Sequence, residues 1–127
     1  MARVLLDTDV LIDHLSGNNA LSSEFSGSCY STVTRAELYS WKQADESIID
    51  RLLDQFDEVF VDRLVAEEAG RIRREFGVRL PDALIAATAI RAKRPLFTRN
   101  IRDFRRIKRL RLHLKRSMSE CAKGNAG

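Results

Sequence analysis

The sequence predicts an α/β domain with a mainly parallel sheet and helices on both of its faces. Short apolar runs of strand length alternate with longer stripes of helical period, and no repeat or linker divides the 127 residues. Residues 1–116 are expected to form one domain, and 117–127, small and polar, a frayed tail. A chain of this length buries roughly two thirds of its unfolded surface, so neither metal nor disulfide is needed to hold it folded.

Val4 to Leu6 read as a short buried strand, and the spacing from Val10 to Leu15 as a helix. Cys29 to Val33 form a β-rich stretch followed by a helix from about Arg35. Ile48, Ile49, Leu52, Leu53 and Phe56 mark one helical face, and Glu58 to Val61 return to strand. Val65, Ala69, Ile72 and Phe76 fall on one stripe of a further helix, closed by Gly77 where a left-handed cap is favoured. Pro81, which has no N–H to donate, opens a helix running to about Lys93. Its face of Ala83, Leu84, Ala86, Ala87 and Ile90 is small enough to pack closely on a sheet. Pro95 to Thr98 form a strand, Asn100 to Arg106 a short helix, and Leu110 to Leu114 an edge strand.

Composition narrows the function. Twenty-two Lys and Arg against 18 Asp and Glu give a net charge of +4, which suits a polyanionic partner. Cys29 in a strand and Cys121 in the tail do not form a disulfide framework. With no cleavable leader and no apolar run long enough to cross a bilayer, the expected location is the cytoplasm, away from membranes. His14 and His113 lack zinc-ligand spacing, and no nucleophile elbow or phosphate-binding loop is present.

The acidic residues then acquire a pattern. In a parallel sheet, helix starts that directly follow strands share one rim, where ligands bind. Asp7 follows the first strand, Glu37 lies one turn into the helix after the second, and Asn100 with Asp103 follow the fourth. Asp82 joins them if its helix packs across the sheet. Singly, each has an ordinary role: Asp7 or Thr8 as a helix cap, Thr34 with Glu37 as a capping box, Asn100 with Asp103 as a cap pair, and Asp82 at the positive end of its helix. Jointly, carboxylates so gathered repel one another unless a cation sits among them, and hard oxygen ligands call for Mg²⁺ or Mn²⁺.

Four segments, "VLLDTDVLID", "STVTRAEL", "LPDALIAATAI" and "LFTRNIRDF", resemble in order and spacing the signatures of PIN-domain ribonucleases, in particular the VapC-type toxins. The likeness runs from about residue 3 to 114. It implies a three-layer α/β/α fold, Mg²⁺- or Mn²⁺-dependent hydrolysis of RNA to 5′-phosphate and 3′-hydroxyl ends, a homodimer, and inhibition by a cognate antitoxin. The family's acidic roles fall on Asp7, Glu37 and Asp82 as metal ligands, with Asn100 or Asp103 as the fourth polar catalytic position. Thr8, Asp9 and Thr98 stand beside them. Asp9 occupies a place where the family commonly has Asn; it either strengthens cation binding or caps the following helix, with the cap favoured. Substrate phosphates are expected at Arg99, Arg102 and Arg105, within a basic series that continues through Arg106, Lys108 and Arg109 and otherwise reads as a solvated helix face. Tyr39 and Trp41 suit packing or a dimer surface better than base stacking. Leu11, Leu15, Leu38 and Phe104 are expected in the core.

Two rivals predict different behaviour. A phosphoacceptor signalling domain would use Asp62, but leaves Glu37 and the Asp82 segment without a role. A catalytically silent PIN module would bind protein partners and cut nothing.

Overall fold

The computed structural model describes residues 2–114. Its sheet has four parallel strands in the order β3-β2-β1-β4, with β1 Leu5–Leu6, β2 Cys29–Ser31, β3 Asp57–Val59 and β4 Leu96–Phe97. Leu5 is in register with both Cys29 and Leu96, so β1 lies in the middle of the sheet.

The two-residue period of a strand divides the interior into two cores. Leu5, Cys29 and Leu96 point to one face, where they meet α4 (Arg63–Phe76), α5 (Leu80–Ala92) and Phe104 of α6 (Ile101–Phe104). Val4, Leu6 and Tyr30 point to the other, against α1 (Thr8–Ser16), α2 (Thr32–Tyr39) and α3 (Glu46–Leu53). The result is the expected three-layer α/β/α architecture. Ala83, Ile85, Ala86, Ala87, Thr88 and Ala89 of α5 are all buried, and small side chains let this helix press between the sheet and α4. Gly77 closes α4 at φ 70°, the left-handed turn expected there. Leu11, Leu38 and Phe104 are buried as expected, and Leu15 is partly so.

The chain leaves β1 towards β2 and β3, then crosses back to place β4 on the opposite side of β1. The strand order therefore reverses between β1 and β4, the topological switch point where parallel sheets bind ligands.

Several expectations are corrected. The helix after β2 starts at Thr32, not near Arg35, because the Ser31 side chain accepts from Val33 N and caps it. Thr34 is therefore inside the helix and there is no Thr34–Glu37 capping box. Ile48 is half exposed, since α3 covers the sheet edge with only Ile49, Leu52 and Leu53. The residue 110–114 segment adds a single bridge, Leu96 to Leu112, in place of a strand. The Asn100 side chain makes no cap, and α6 ends at Phe104. A 3-10 turn at Ser23–Phe25, not expected from the sequence, buries Phe25 against Phe97 at a centroid distance of 4.8 Å, with the His113 ring edge-on to both. His14 Nδ1 accepts from Leu21 N at 2.9 Å, a structural role. Cys121, the expected domain end at 116 and the expected tail lie outside the described residues.

Candidate active site

At the switch point, Asp7 ends β1 and caps α1 while 6% exposed. Both of its oxygens are committed: Thr8 N donates to Oδ1 at 2.8 Å, and the Thr98 hydroxyl, beyond β4, donates to Oδ2 at 2.7 Å. Even so, its carboxyl is pushed up to about 7, first by burial and then by the negative charge of Asp9, with Asp82 adding to it. The two hydrogen bonds act the other way and do not win. Among the described residues, no buried side-chain polar atom lacks a hydrogen-bond partner, so the cost at Asp7 is one of charge.

Asp9, in the first turn of α1, also bridges to the segment after β4. Its carboxylate accepts from Arg99 N at 3.1 Å and lies 3.3 Å from the Thr98 hydroxyl. It is thus a clamp between α1 and the β4–α6 connection rather than the cap of α1, which is Asp7. Burial raises its carboxyl as well, against the pull of the Arg99 amide.

Glu37 reaches the same place through Thr8. Thr8 Oγ1 is 2.6 Å from Glu37 Oε1 and 3.0 Å from Thr34 Oγ1; its single proton goes to the nearer, charged acceptor. Asp82 comes from the first turn of α5, near enough to Asp7 to raise its carboxyl, and pairs with the exposed Arg79 at 3.5 Å. Among the described residues no three His, Cys, Asp or Glu side chains enclose an ion as they stand, Glu37 being turned onto Thr8 and Asp82 onto Arg79.

The donor set fits a hard divalent cation. All donors are oxygen, and a positive ion among them would offset both the burial and the repulsion that raise Asp7. Asp7, Glu37 and Asp82 are the side chains that would hold it.

The remaining expected residues divide. Arg99 stands at the site, but its guanidinium is paired with Asp13 at 2.7 Å. The Asn100 side-chain amide donates to Asp103 at 3.0 Å, while its backbone N–H donates to the Thr98 hydroxyl. From the fourth segment it is Thr98 that touches Asp7. Arg102 and Arg105 are exposed on α6 and its C-cap. Arg106 donates to Phe76 O, and Arg109 pairs with Glu68 and Glu75. Asp13 was not singled out in the sequence; its place one helical turn after Asp9, on the same face, is the signal that marks it. Beside Glu37 opens an apolar groove of about 300 Å³ lined by Val33, Ala36, Ser40, Leu80, Pro81 and Leu84.

A doubly wound three-layer domain with an acidic cluster at its switch point is thus defined, and comparison with known proteins assigns it. Residues 4–110 match the PIN domain, and the chain belongs to that family. Ribonuclease VapC1 of Methanocaldococcus jannaschii is 28% identical over 120 residues, covering 89% of this chain and 87% of that protein. A toxin-antitoxin complex from Klebsiella pneumoniae contains a chain 32% identical, with a TM-score of 0.73 over 84% of this chain and 94% of that one. DNA-bound VapBC from Salmonella typhimurium is 25% identical, with a TM-score of 0.70 over 89% and 98%. VapBC2 from Rickettsia felis, bound to a DNA fragment from its promoter, shares the fold at 23% identity and a TM-score of 0.74, over 87% and 96%.

Proposed function

We propose that this chain is a toxin-type endoribonuclease that hydrolyses RNA phosphodiester bonds with a divalent metal, Mg²⁺ or Mn²⁺, and is held in check by a cognate antitoxin. The observation that carries it is a buried carboxylate, Asp7, kept at the switch point among Asp9, Glu37 and Asp82 with no cationic side chain bonded to it. Membership of the PIN family and the likeness to Ribonuclease VapC1 supply the substrate class.

Asp7, Glu37 and Asp82 would hold the metal. When bound, it supplies charge neutralisation on the phosphate and acidifies an attacking water. The protein's share is orientation. Thr8 N and the Thr98 hydroxyl fix both Asp7 oxygens in place, and the Thr8 hydroxyl holds Glu37 within reach of the same rim. Asp9 ties the segment bearing Thr98 and Arg99 to α1, so that the ends of β1 and β4 keep one relative position. Arg99, 61% exposed beyond its pair with Asp13, is placed to exchange that partner for a substrate phosphate, with Arg102 and Arg105 along the same edge. Asn100 or Asp103 would complete the polar set.

The apolar groove beside Glu37 suits an apolar anchor of an antitoxin segment whose basic side chain would neutralise the acidic rim. The toxin-antitoxin complex and the VapBC assembly among the similar structures favour such a partner. A homodimer would cover exposed apolar side chains such as Trp41, Phe60 and Leu64. No helix among the described residues is long and apolar enough to cross a membrane, and the cytoplasm is the location that goes with the proposed RNA substrate.

The phosphoacceptor alternative loses its geometry. Signalling folds of that kind set β3 beside β1, whereas here β2 separates them and the Asp62 side chain caps α4 by accepting from Val65 N at 2.9 Å. Incubation of purified protein with RNA and Mg²⁺, beside Asp7→Asn and an EDTA-treated sample, decides among the possibilities. Cleavage abolished in both controls is expected. Equal cleavage by Asp7→Asn overturns the assignment of the site, and none by the wild type favours the silent module.

A further inference from the structure

Charge is distributed very unevenly along this chain. Between residues 91 and 111 stand ten Lys and Arg and one Asp, although the whole chain is only +4. Some of these cations face the acidic rim. Others converge at the opposite end of the sheet, where Lys93, Arg94, Arg109 and Arg111 line a cavity of about 220 Å³ floored by Ala89 and Ile90. No carboxylate lines it, and among the described residues Lys93, Arg94 and Arg111 form no ion pair. Arg94 donates to Gly27 O and Arg111 to Lys93 O, contacts that fix the guanidinium groups without cancelling their charge. Only Arg109 is offset, by Glu68 and Glu75.

Lys93 adds a second observation. It terminates α5 in the left-handed conformation at φ 57°, the one non-glycine residue with positive φ among those described. Glycine or asparagine is the low-energy choice there. The helix dipole does not require this lysine, because Arg91 already supplies a cation to the last turn. A strained position that carries charge into a cationic cavity points to a ligand.

We propose that this cavity is an anchoring site for the phosphodiester backbone of the RNA, distinct from the cleavage rim; the proposal rests on the ribonuclease reading above. The lining offers charge and small aliphatic surface and no aromatic ring on which a base could stack, so its recognition is of phosphate and independent of sequence. The cavity is concave, which fits a phosphate with its waters better than the flat face of a lipid surface. Thr98 lies four residue steps of extended chain beyond Arg94, about 13 Å at the rise of a strand. An RNA strand cut at the rim must run at least that far to be held, so the favoured substrate is an oligonucleotide and not a dinucleotide.

The test is binding of a single-stranded RNA oligonucleotide to the full chain in EDTA, followed by fluorescence anisotropy over a range of salt concentrations. Lys93→Gln/Arg94→Gln is expected to raise the Kd about tenfold and to flatten the salt dependence by roughly one unit of logarithmic slope. Lys42→Gln/Arg51→Gln, which removes the same charge from the exposed side of the α2–α3 region, should stay within about twofold of wild type. Lys93→Asn suits the left-handed turn better than lysine, so the fold is safe, and it should raise the Kd about threefold. Pocket variants that bind as tightly as the control pair, or that lose affinity for anionic vesicles but not for RNA, overturn the proposal. Failure of the wild type to cut RNA with Mg²⁺, while the pocket variants still lose affinity, sinks the ribonuclease reading and leaves the anchor standing. Cleavage by the wild type with pocket variants at control affinity does the reverse.

Discussion

Two polar clusters in this molecule both join carboxylates to hydroxyl donors and end in opposite electrostatic states. Between α2, α3 and the sheet, Arg35 donates to Glu58 through Nε at 3.0 Å and Nη2 at 2.8 Å, and to Asp50 at 3.2 Å. The hydroxyl of buried Tyr30 also donates to Glu58, at 2.7 Å, and that of Tyr39 to Asp50. The Glu58 carboxyl is accordingly held below its ordinary value, chiefly by the Arg35 hydrogen bonds, while burial pushes the Tyr30 hydroxyl up to about 12. At the switch point, Asp7 and Asp9 have hydrogen bonds of comparable quality but no guanidinium bonded to either, the nearby Arg99 being paired with Asp13, and both carboxyls are raised, chiefly by burial. A structural cluster supplies its own counter-charge. The candidate active site does not bring a bonded counter-charge to Asp7, and that difference is what the proposed metal site rests on.

The largest effect expected from breaking this contrast is at Asp7. Asp7→Asn should lower RNA cleavage by at least about a hundredfold, since the loss of several kcal/mol of charge stabilisation corresponds to two or three powers of ten. The same change should stabilise the metal-free fold. A carboxyl whose folded value lies near 7, above its unfolded 3.8, destabilises the protein progressively as pH rises from about 4 to above 7, by a few kcal/mol in all. Thermal melts in EDTA should therefore show Asp7→Asn above the wild type at about pH 8 and the gap closing towards about pH 5. A variant less stable at both values would show that the wild-type carboxylate is compensated after all.

A smaller effect of the opposite kind is expected at the other cluster. Arg35→Gln strands Glu58 and should cost about 1–3 kcal/mol by denaturant melts at neutral pH, with cleavage little changed. Because the Glu58 value is lowered in the folded state, its contribution is present above about pH 4.5 and fades below it, so the variant and wild type should converge in acid. Wild-type stability would then peak at mildly acidic pH, with each cluster setting one flank. The smallest effect sharpens the comparison. Asp62 is a carboxylate satisfied by a helix N-terminus, and Asp62→Ala should cost about 1 kcal/mol with cleavage intact. Loss of cleavage there would revive Asp62 as a chemical residue.

Much of this was legible in the sequence, and the limits have a physical pattern. Strand and helix periods located all four strands and the larger helices, and the rule that helix starts share a rim gathers Asp7, Glu37 and Asn100, with Asp82 joining them only on the condition that its helix packs across the sheet. What local pattern could not reveal depended on strand order. The Thr98 hydroxyl meets Asp7 and the Arg99 amide meets Asp9 across some ninety residues of chain. These contacts exist because β4 pairs with β1, a pairing that no period encodes. Asp9 therefore reads as a cap or a strengthener of cation binding, and Thr98 as no more than a neighbour of the site, until the β1–β4 pairing sets the Thr98 hydroxyl on Asp7. The start of α2 was misplaced for a local reason. Ser31 and Thr34 are both competent caps, and burial of Thr34 against Thr8 settles the choice.

The most direct measurement is an anomalous difference map from crystals soaked in Mn²⁺. A peak within bonding distance of Asp7 and of Glu37 or Asp82 is the predicted result. Full Mn²⁺ occupancy elsewhere on the protein with none at Asp7, in crystals of a protein that cuts RNA, would contradict it.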